Sequence, residues 1–201
     1  MSRPSVIAVC GISGVGKTYL INRVVAGLEH VTRLSAGSII AEARSSAHPE
    51  FLRKLPVDEL DRSQELLIAG FSRALADIRS RLLLLDAHTV IDNGSDELYL
   101  VADSVFAALR PDGIIHVEAE PELIVRQREA DSVRPRPSRS VKVLDNQQRA
   151  SAQRAEQLAA GLGIWCARVR SGDVGTFESL LAVTLDEAQA SVNDEVAPRD
   201  G

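Results

Sequence analysis

Short apolar runs alternate along this chain with longer stretches in which apolar residues recur every three or four positions. The runs Val6 to Cys10, Leu82 to Asp86, Gly113 to Glu118 and Ile164 to Val169 are largely apolar, as strands buried on both faces must be. A shorter, more polar run near Thr32 to Ser35 reads as a fifth strand. Between them the period is helical. Val57 to Arg81 follows Pro56, carries Asp58 and Glu59 in its first turn, and sets Leu60, Leu67, Phe71, Leu75 and Ile78 on one face. Further helices are predicted over Tyr19 to Leu28, over Leu98 to Leu109 with a stop forced by Pro111, and over Asp145 to Leu162 ended by Gly163. The last runs from Val174 to Ala190, with Phe177, Leu181, Leu185 and Ala188 on one side. Strands separated by helices imply crossover units, so the class is α/β with a mostly parallel sheet. Residues 1–190 read as one domain, and the polar, aperiodic segment Ser191 to Gly201 as a frayed tail.

Composition narrows the functions. A chain of 201 residues, 45% hydrophobic and 25% charged, has globular proportions. With 23 Lys and Arg against 28 Asp and Glu, the net charge of -5 supplies no global positive field for a nucleic acid or an anionic membrane. Aromatics at 3% leave few platforms for stacking single strands. No run approaches the ~20 apolar residues needed to cross a membrane. Cys10 and Cys166 each fall inside an apolar run, without metal-ligand or disulfide spacing, which fits a reducing cytoplasm.

The chemistry begins where the first strand ends. Gly11-Ile12-Ser13-Gly14-Val15-Gly16-Lys17-Thr18 is G-x-x-x-x-G-K-[ST] between a strand and a helix, the setting a P-loop requires. Gly11, Gly14 and Gly16 let the backbone turn tightly and bring its N–H groups to phosphate oxygens at a helix N-terminus. Lys17 reaches the β- and γ-phosphates, and the Thr18 hydroxyl is offered to Mg²⁺. A second group follows at the end of the apolar run Leu82 to Asp86: Asp86, placed to share that Mg²⁺, then Ala87 and His88 at the carboxyl edge, where open α/β sheets bind ligands. The alternative for Asp86 is a helix or turn cap, and for His88 an ordinary half-buried histidine. A third feature is arginine-rich: Arg126, Arg128, Arg134, Arg136 and Arg139, interrupted by Pro135 and Pro137. The segment from about 132 to 140 reads as a surface loop between helices, suited to close over a triphosphate, against the alternative of a solvated basic loop. No Asn-Lys-x-Asp base-reading run is present, which counts against a GTPase.

Taken in order, these motifs resemble the archaeal-type adenylate kinases, a branch of the nucleoside monophosphate kinases. The match spans about Val6 to Asp173. It is carried by the P-loop, Ser35-Ala36-Gly37-Ser38, Arg53-Lys54-Leu55, Asp86-Ala87-His88, Arg110-Pro111-Asp112-Gly113-Ile114-Ile115, and Asp131 with Arg134-x-Arg136. The resemblance implies a three-layer P-loop kinase fold around a central five-stranded sheet, with a short lid. It also implies Mg-ATP as donor and a nucleoside monophosphate, AMP by default, as acceptor. On that carry-over Lys17 and the P-loop hold ATP phosphates, Thr18 and Asp86 organise Mg²⁺, and Arg134 and Arg136 clamp the transferring group. Arg126 or Arg128 would stack on the ATP base. Ser35, Gly37, Arg53 and His88 would meet the acceptor, with Arg53 on its phosphate. Partners are then small-molecule nucleotides, with no nucleic acid and no membrane; the sequence leaves self-association open. Two departures stand out. Where relatives carry Gly-Tyr-Leu-Pro-Gly-Leu-Pro, this chain reads Glu97-Leu98-Tyr99-Leu100-Val101-Ala102-Asp103 near the acceptor pocket, and Pro135 and Pro137 stiffen the lid. Two other functions therefore stand beside the leading one: a kinase of a nucleoside or metabolite hydroxyl, and a P-loop ATPase or nucleotide-dependent switch.

Overall fold

A computed structural model describes residues 3–45, 55–94, 97–131 and 136–196 of the chain. The strands are Ser5–Cys10 (β1), Val31–Ser35 (β2), Leu82–Asp86 (β3), Val90–Ile91 (β4), Tyr99–Leu100 (β5), Gly113–Glu118 (β6) and Trp165–Arg170 (β7). The helices are Lys17–Val25 (α1), Ala36–Ala43 (α2), Val57–Asp77 (α3), Asp103–Leu109 (α4), Pro121–Ala130 (α5), Val141–Leu162 (α6) and Val174–Val196 (α7).

Five strands form one parallel sheet in the order β2-β3-β1-β6-β7. Side chains alternate across it with period two. On β1, Val6, Ala8 and Cys10 enter a core shared with Leu67, Phe71, Leu83, Leu85 and Phe106, under α2, α3, α4 and α6. Ile7 and Val9 enter the opposite core with Leu20, Ile21, Leu82, Leu84, Phe177 and Leu181, under α1 and α7. Burial of each such side chain stabilises the fold by about 1.5–3 kcal/mol, so a strand apolar on both faces is worth more here than one that alternates.

After β1 the chain moves outward to β2 and returns to β3; after β3 it crosses β1 to reach β6. The connections thus leave β1 in opposite directions, and a crevice opens beyond its carboxyl end. Register brings other groups there: Val9 pairs with Asp86, and Ser35 pairs with the same Asp86.

Several expected elements differ: the helix foreseen over Val57 to Arg81 ends at Asp77, with Ile78 already extended, and the one foreseen from Asp145 begins at Val141, capped by Ser140. The helix foreseen over Leu98 to Leu109 starts only at Asp103, because Tyr99–Leu100 pairs antiparallel with Val90–Ile91 and the Val101 N–H donates to Thr89 O at 3.0 Å. Strand pairing, together with the Tyr99 hydroxyl donating to Asp61 Oδ1 at 2.7 Å, outweighs a helical propensity that is always a weak determinant. The tail foreseen from Ser191 onward is helical backbone as far as Val196, since no glycine or proline interrupts it before Pro198. Among the described residues no helix is long and apolar enough to cross a membrane.

Candidate functional site

Beyond the end of β1 the backbone turns through Gly11, Gly14 and Gly16 at φ +141°, +85° and +97°. A Cβ at Gly11 would lie 2.6 Å from Val117 O, a backbone atom that cannot yield, so this turn against β6 admits only glycine. Val15, fully buried, pins the loop to the core, and α1 opens at Lys17 with its N–H groups directed into the crevice. Lys17 is 6% exposed and its Nζ donates to Gly11 O at 2.8 Å. His88 Nδ1 lies 2.8 Å from the same carbonyl and 3.5 Å from Lys17 Nζ, so the strand end after β3 grips the start of the loop.

Asp86 gathers the polar groups of the crevice. Its Oδ2 accepts from Thr18 Oγ1 at 3.2 Å and from Arg33 Nη2 at 2.9 Å, and its Oδ1 lies 4.0 Å from Lys17 Nζ. At 11% side-chain exposure this carboxylate is enclosed, and these donors take the place of water around it. Thr18 and Asp86 present hard oxygens side by side, the donor set that suits Mg²⁺, which takes one or two protein oxygens and completes its shell from phosphates and water. Among the described residues no cluster of three or more His, Cys, Asp or Glu could hold a metal unaided. Beneath them, burial pushes the Cys10 thiol up to about 12, so it is an inert floor and not a nucleophile.

On the β2 side, Ser35 caps α2, its Oγ accepting from the Ser38 N–H at 3.4 Å. Ser35, Gly37 and His88 all line one cavity of about 500 Å³ with the P-loop and Asp86. Ile40, Leu67, Val105, Phe106 and Leu109, from α2, α3 and α4, make another wall of it apolar. Arg53 and Arg134 lie outside the described residues.

The arginine cluster divides in two. Arg126 is exposed on α5 and does not line the cavity. Arg128 lays its stem against Gly14, donates through Nε to Ser13 O at 3.0 Å and through Nη1 to Pro137 O at 3.3 Å. Arg136 donates to Ser13 Oγ at 2.9 Å and pairs with Asp131 at 2.8 Å. Both arginines therefore tie α5 and the segment ahead of α6 to the P-loop through one serine.

Sequence reasoning passed over three residues of this arrangement. Asp92, just after β4, accepts from Arg139 through Nη2 at 2.9 Å and Nε at 3.3 Å, and from Gln147 Nε2 at 3.1 Å, with Arg128 Nη1 at 3.5 Å. Burial works to raise its pKa, but donors from Arg139, Gln147 and the Gly94 amide prevail and lower it. Arg33 and Ser13 were missed as well. The available signal for Arg33 was a charge in the middle of a strand, and for Asp92 a carboxylate directly after an apolar pair.

Comparison with known proteins follows the same residues. The AAA domain family model matches residues 10–145, from the last residue of β1 into α6. The adenylate kinase of Pyrobaculum aerophilum is 26% identical over 150 residues, covering 72% of this chain and 74% of that protein. The adenylate kinase of Methanocaldococcus jannaschii is 30% identical over 141 residues, covering 65% and 71% respectively. Among solved structures, TT1252 from Thermus thermophilus shares the fold at a TM-score of 0.52 and 16% identity, over 92% of this chain and 98% of that one.

Proposed function

The chain belongs to the AAA domain family and, within it, to the archaeal-type adenylate kinases; from that premise we propose that it is a nucleoside monophosphate kinase that phosphorylates AMP or a close analogue. The observation that carries the reading is the meeting of three strand ends at Asp86, with the P-loop on one side and the Ser35 cap of α2 on the other, around one cavity.

Mg-ATP, which kinases of this kind use, would supply the γ-phosphoryl group, and the metal would neutralise phosphate charge. The P-loop N–H groups at the start of α1 and the Lys17 ammonium bind the donor phosphates. Thr18 and Asp86 would hold the metal through their adjacent oxygens. Arg136, anchored on Ser13, brings a guanidinium to the outer side of the loop, where negative charge spreads as the group moves. An oxygen of the acceptor phosphate forms the new bond to the γ-phosphorus as the bond to the β–γ bridging oxygen breaks, and ADP leaves with that electron pair. A phosphate dianion has no proton to lose, so no residue need act as a base.

A hydroxyl-bearing acceptor is the second reading, favoured by the apolar wall from α2, α3 and α4. One assay separates the two: ADP release from Mg-ATP, measured with AMP, other monophosphates and nucleosides each added alone. Turnover that depends on AMP supports the proposal. Turnover identical with and without every acceptor sinks it in favour of an ATPase.

A further inference from the structure

We propose that Arg33 is a cation that receives the acceptor's phosphate, in addition to the Arg53 that the family resemblance assigns to it, an inference that rests on the monophosphate-kinase reading. Arg33 is the third residue of β2, paired with Leu84, and shares a sheet face with Ser35 two positions on. Its strand is two places from β1, so its backbone stands ~10 Å from the strand that feeds the P-loop. The side chain then reaches back toward the crevice, where Nη2 donates to Asp86 Oδ2 at 2.9 Å and Nη1 donates to Asn22 Oδ1 at 2.8 Å. The remaining Nε–H is buried and finds no acceptor among the described residues.

The local charge favours an anion. Asp86 carries one negative charge and both Lys17 and Arg33 bear on it, a positive excess confined to this end of the crevice, since Asp92, Asp131 and Arg136 also line the cavity and Glu42, Arg73 and Asp77 the neighbouring groove. The donor phosphates have the P-loop amides and Lys17 on the far side of Asp86. Arg33 holds the other oxygen of Asp86, and it lines the cavity together with Ser35 and Ser38. It also stands at an opening: Thr18, Arg33, Ser35 and Ser38 line both the central cavity and a second groove of about 1060 Å³ between α1, α2 and α3. A phosphate lying between that groove and the P-loop meets the guanidinium fork, whose planar donors match two phosphate oxygens. The ion pair with Asp86 sets the orientation of the fork, and a charge placed in a short edge strand gains a purpose that core packing does not give it.

The test is steady-state kinetics of wild type, Arg33→Ala and Arg33→Lys with Mg-ATP and AMP. The KM for AMP should rise at least tenfold in Arg33→Ala, with the KM for ATP within twofold, and Arg33→Lys should fall between. Calorimetric ATP binding at wild-type strength shows that a variant is folded; if alanine abolishes folding, Arg33→Lys must still raise the KM for AMP alone. Equal rises in both KM values, or a change confined to ATP and Mg²⁺ dependence, would make Arg33 only a support for Asp86 and overturn the proposal while leaving the kinase reading intact. Absence of AMP-dependent turnover in wild type would remove both.

Discussion

Asp92 and Arg139 join the two sides of the crevice: the carboxylate, at the end of the β4 strand, accepts both Nη2 and Nε of a guanidinium just ahead of α6. The side chains are 8% and 19% exposed, so this pair is only weakly screened by water. Gln147 on α6 and Arg128 on α5 converge on the same carboxylate, which thus ties the β4–β5 ribbon to both helices.

Removing that charge should loosen the lid side. Asp92→Asn keeps the shape but leaves arginines facing a neutral amide, and we expect a loss of about 1–3 kcal/mol in urea unfolding at neutral pH. The acid side gives a second readout. Because the pKa of Asp92 is lowered in the fold, its contribution is present above the unfolded value near ~3.9 and is lost as pH falls through the folded one. Wild type should therefore lose its advantage over Asp92→Asn only below about pH 4. An advantage unchanged down to pH 3 would count against the pair.

Arg136 should matter to turnover more than to binding. Its guanidinium rests on Ser13 Oγ at the outer bend of the P-loop, where it can meet charge that develops only during transfer. Arginines so placed are worth ~10³ to 10⁵ in rate. We expect Arg136→Ala to lower kcat by at least ~10², with the KM for ATP within about threefold, the mark of an interaction made in the transition state. Ser13→Ala removes one anchoring hydrogen bond, worth ~0.5–1.5 kcal/mol, and should cost less than about tenfold. A kcat for Arg136→Ala within about twofold of wild type, or ~0.4 kcal/mol, would reduce this arginine to a surface charge. Arg134 faces the same test.

The P-loop and Asp86 were legible because their chemistry is local: one is a contiguous motif between a strand and a helix, the other a carboxylate ending an apolar run. The strands were legible for a similar reason, since burial on both faces leaves an unbroken apolar signature. Asp92 was not. Its role is defined by Arg139 and Gln147, 47 and 55 residues away, and nothing near it announces them. The β4–β5 pairing was hidden likewise, because Tyr99–Leu100 becomes a strand only against Val90–Ile91. Arg128 shows a related gap: a basic residue beside a phosphate loop invites a ligand role, yet much of its donor capacity goes to Ser13 and Pro137 carbonyls.

His116 supplies a test of the core behind the site. It is wholly buried on β6, and its Nε2 lies 3.0 Å from Ser151 Oγ on α6, which is itself 3.0 Å from Thr89 Oγ1 next to His88. Burial, with the positive fields of Lys17 and Arg168 added, lowers the His116 pKa to about 3. Glu118, 3.4 Å from Nδ1, pulls the other way, but Arg168 shares that carboxylate at 3.2 Å. The imidazole is thus neutral in the fold, while in the unfolded chain it takes up a proton below ~6.5. Between those values the unfolded state binds more protons, so stability falls as pH falls, by about 1.4 kcal/mol per pH unit from this one group well below pH 6. His116→Asn keeps a polar partner for Ser151 and cannot titrate. Urea unfolding of both proteins from pH 6.5 to 4.5, above the range where Asp92 acts, should show wild type losing stability faster than the variant by nearly that slope. Parallel pH profiles would mean that the imidazole is not held neutral, and that the polar chain through Ser151 to Thr89 does not hold it in the way described.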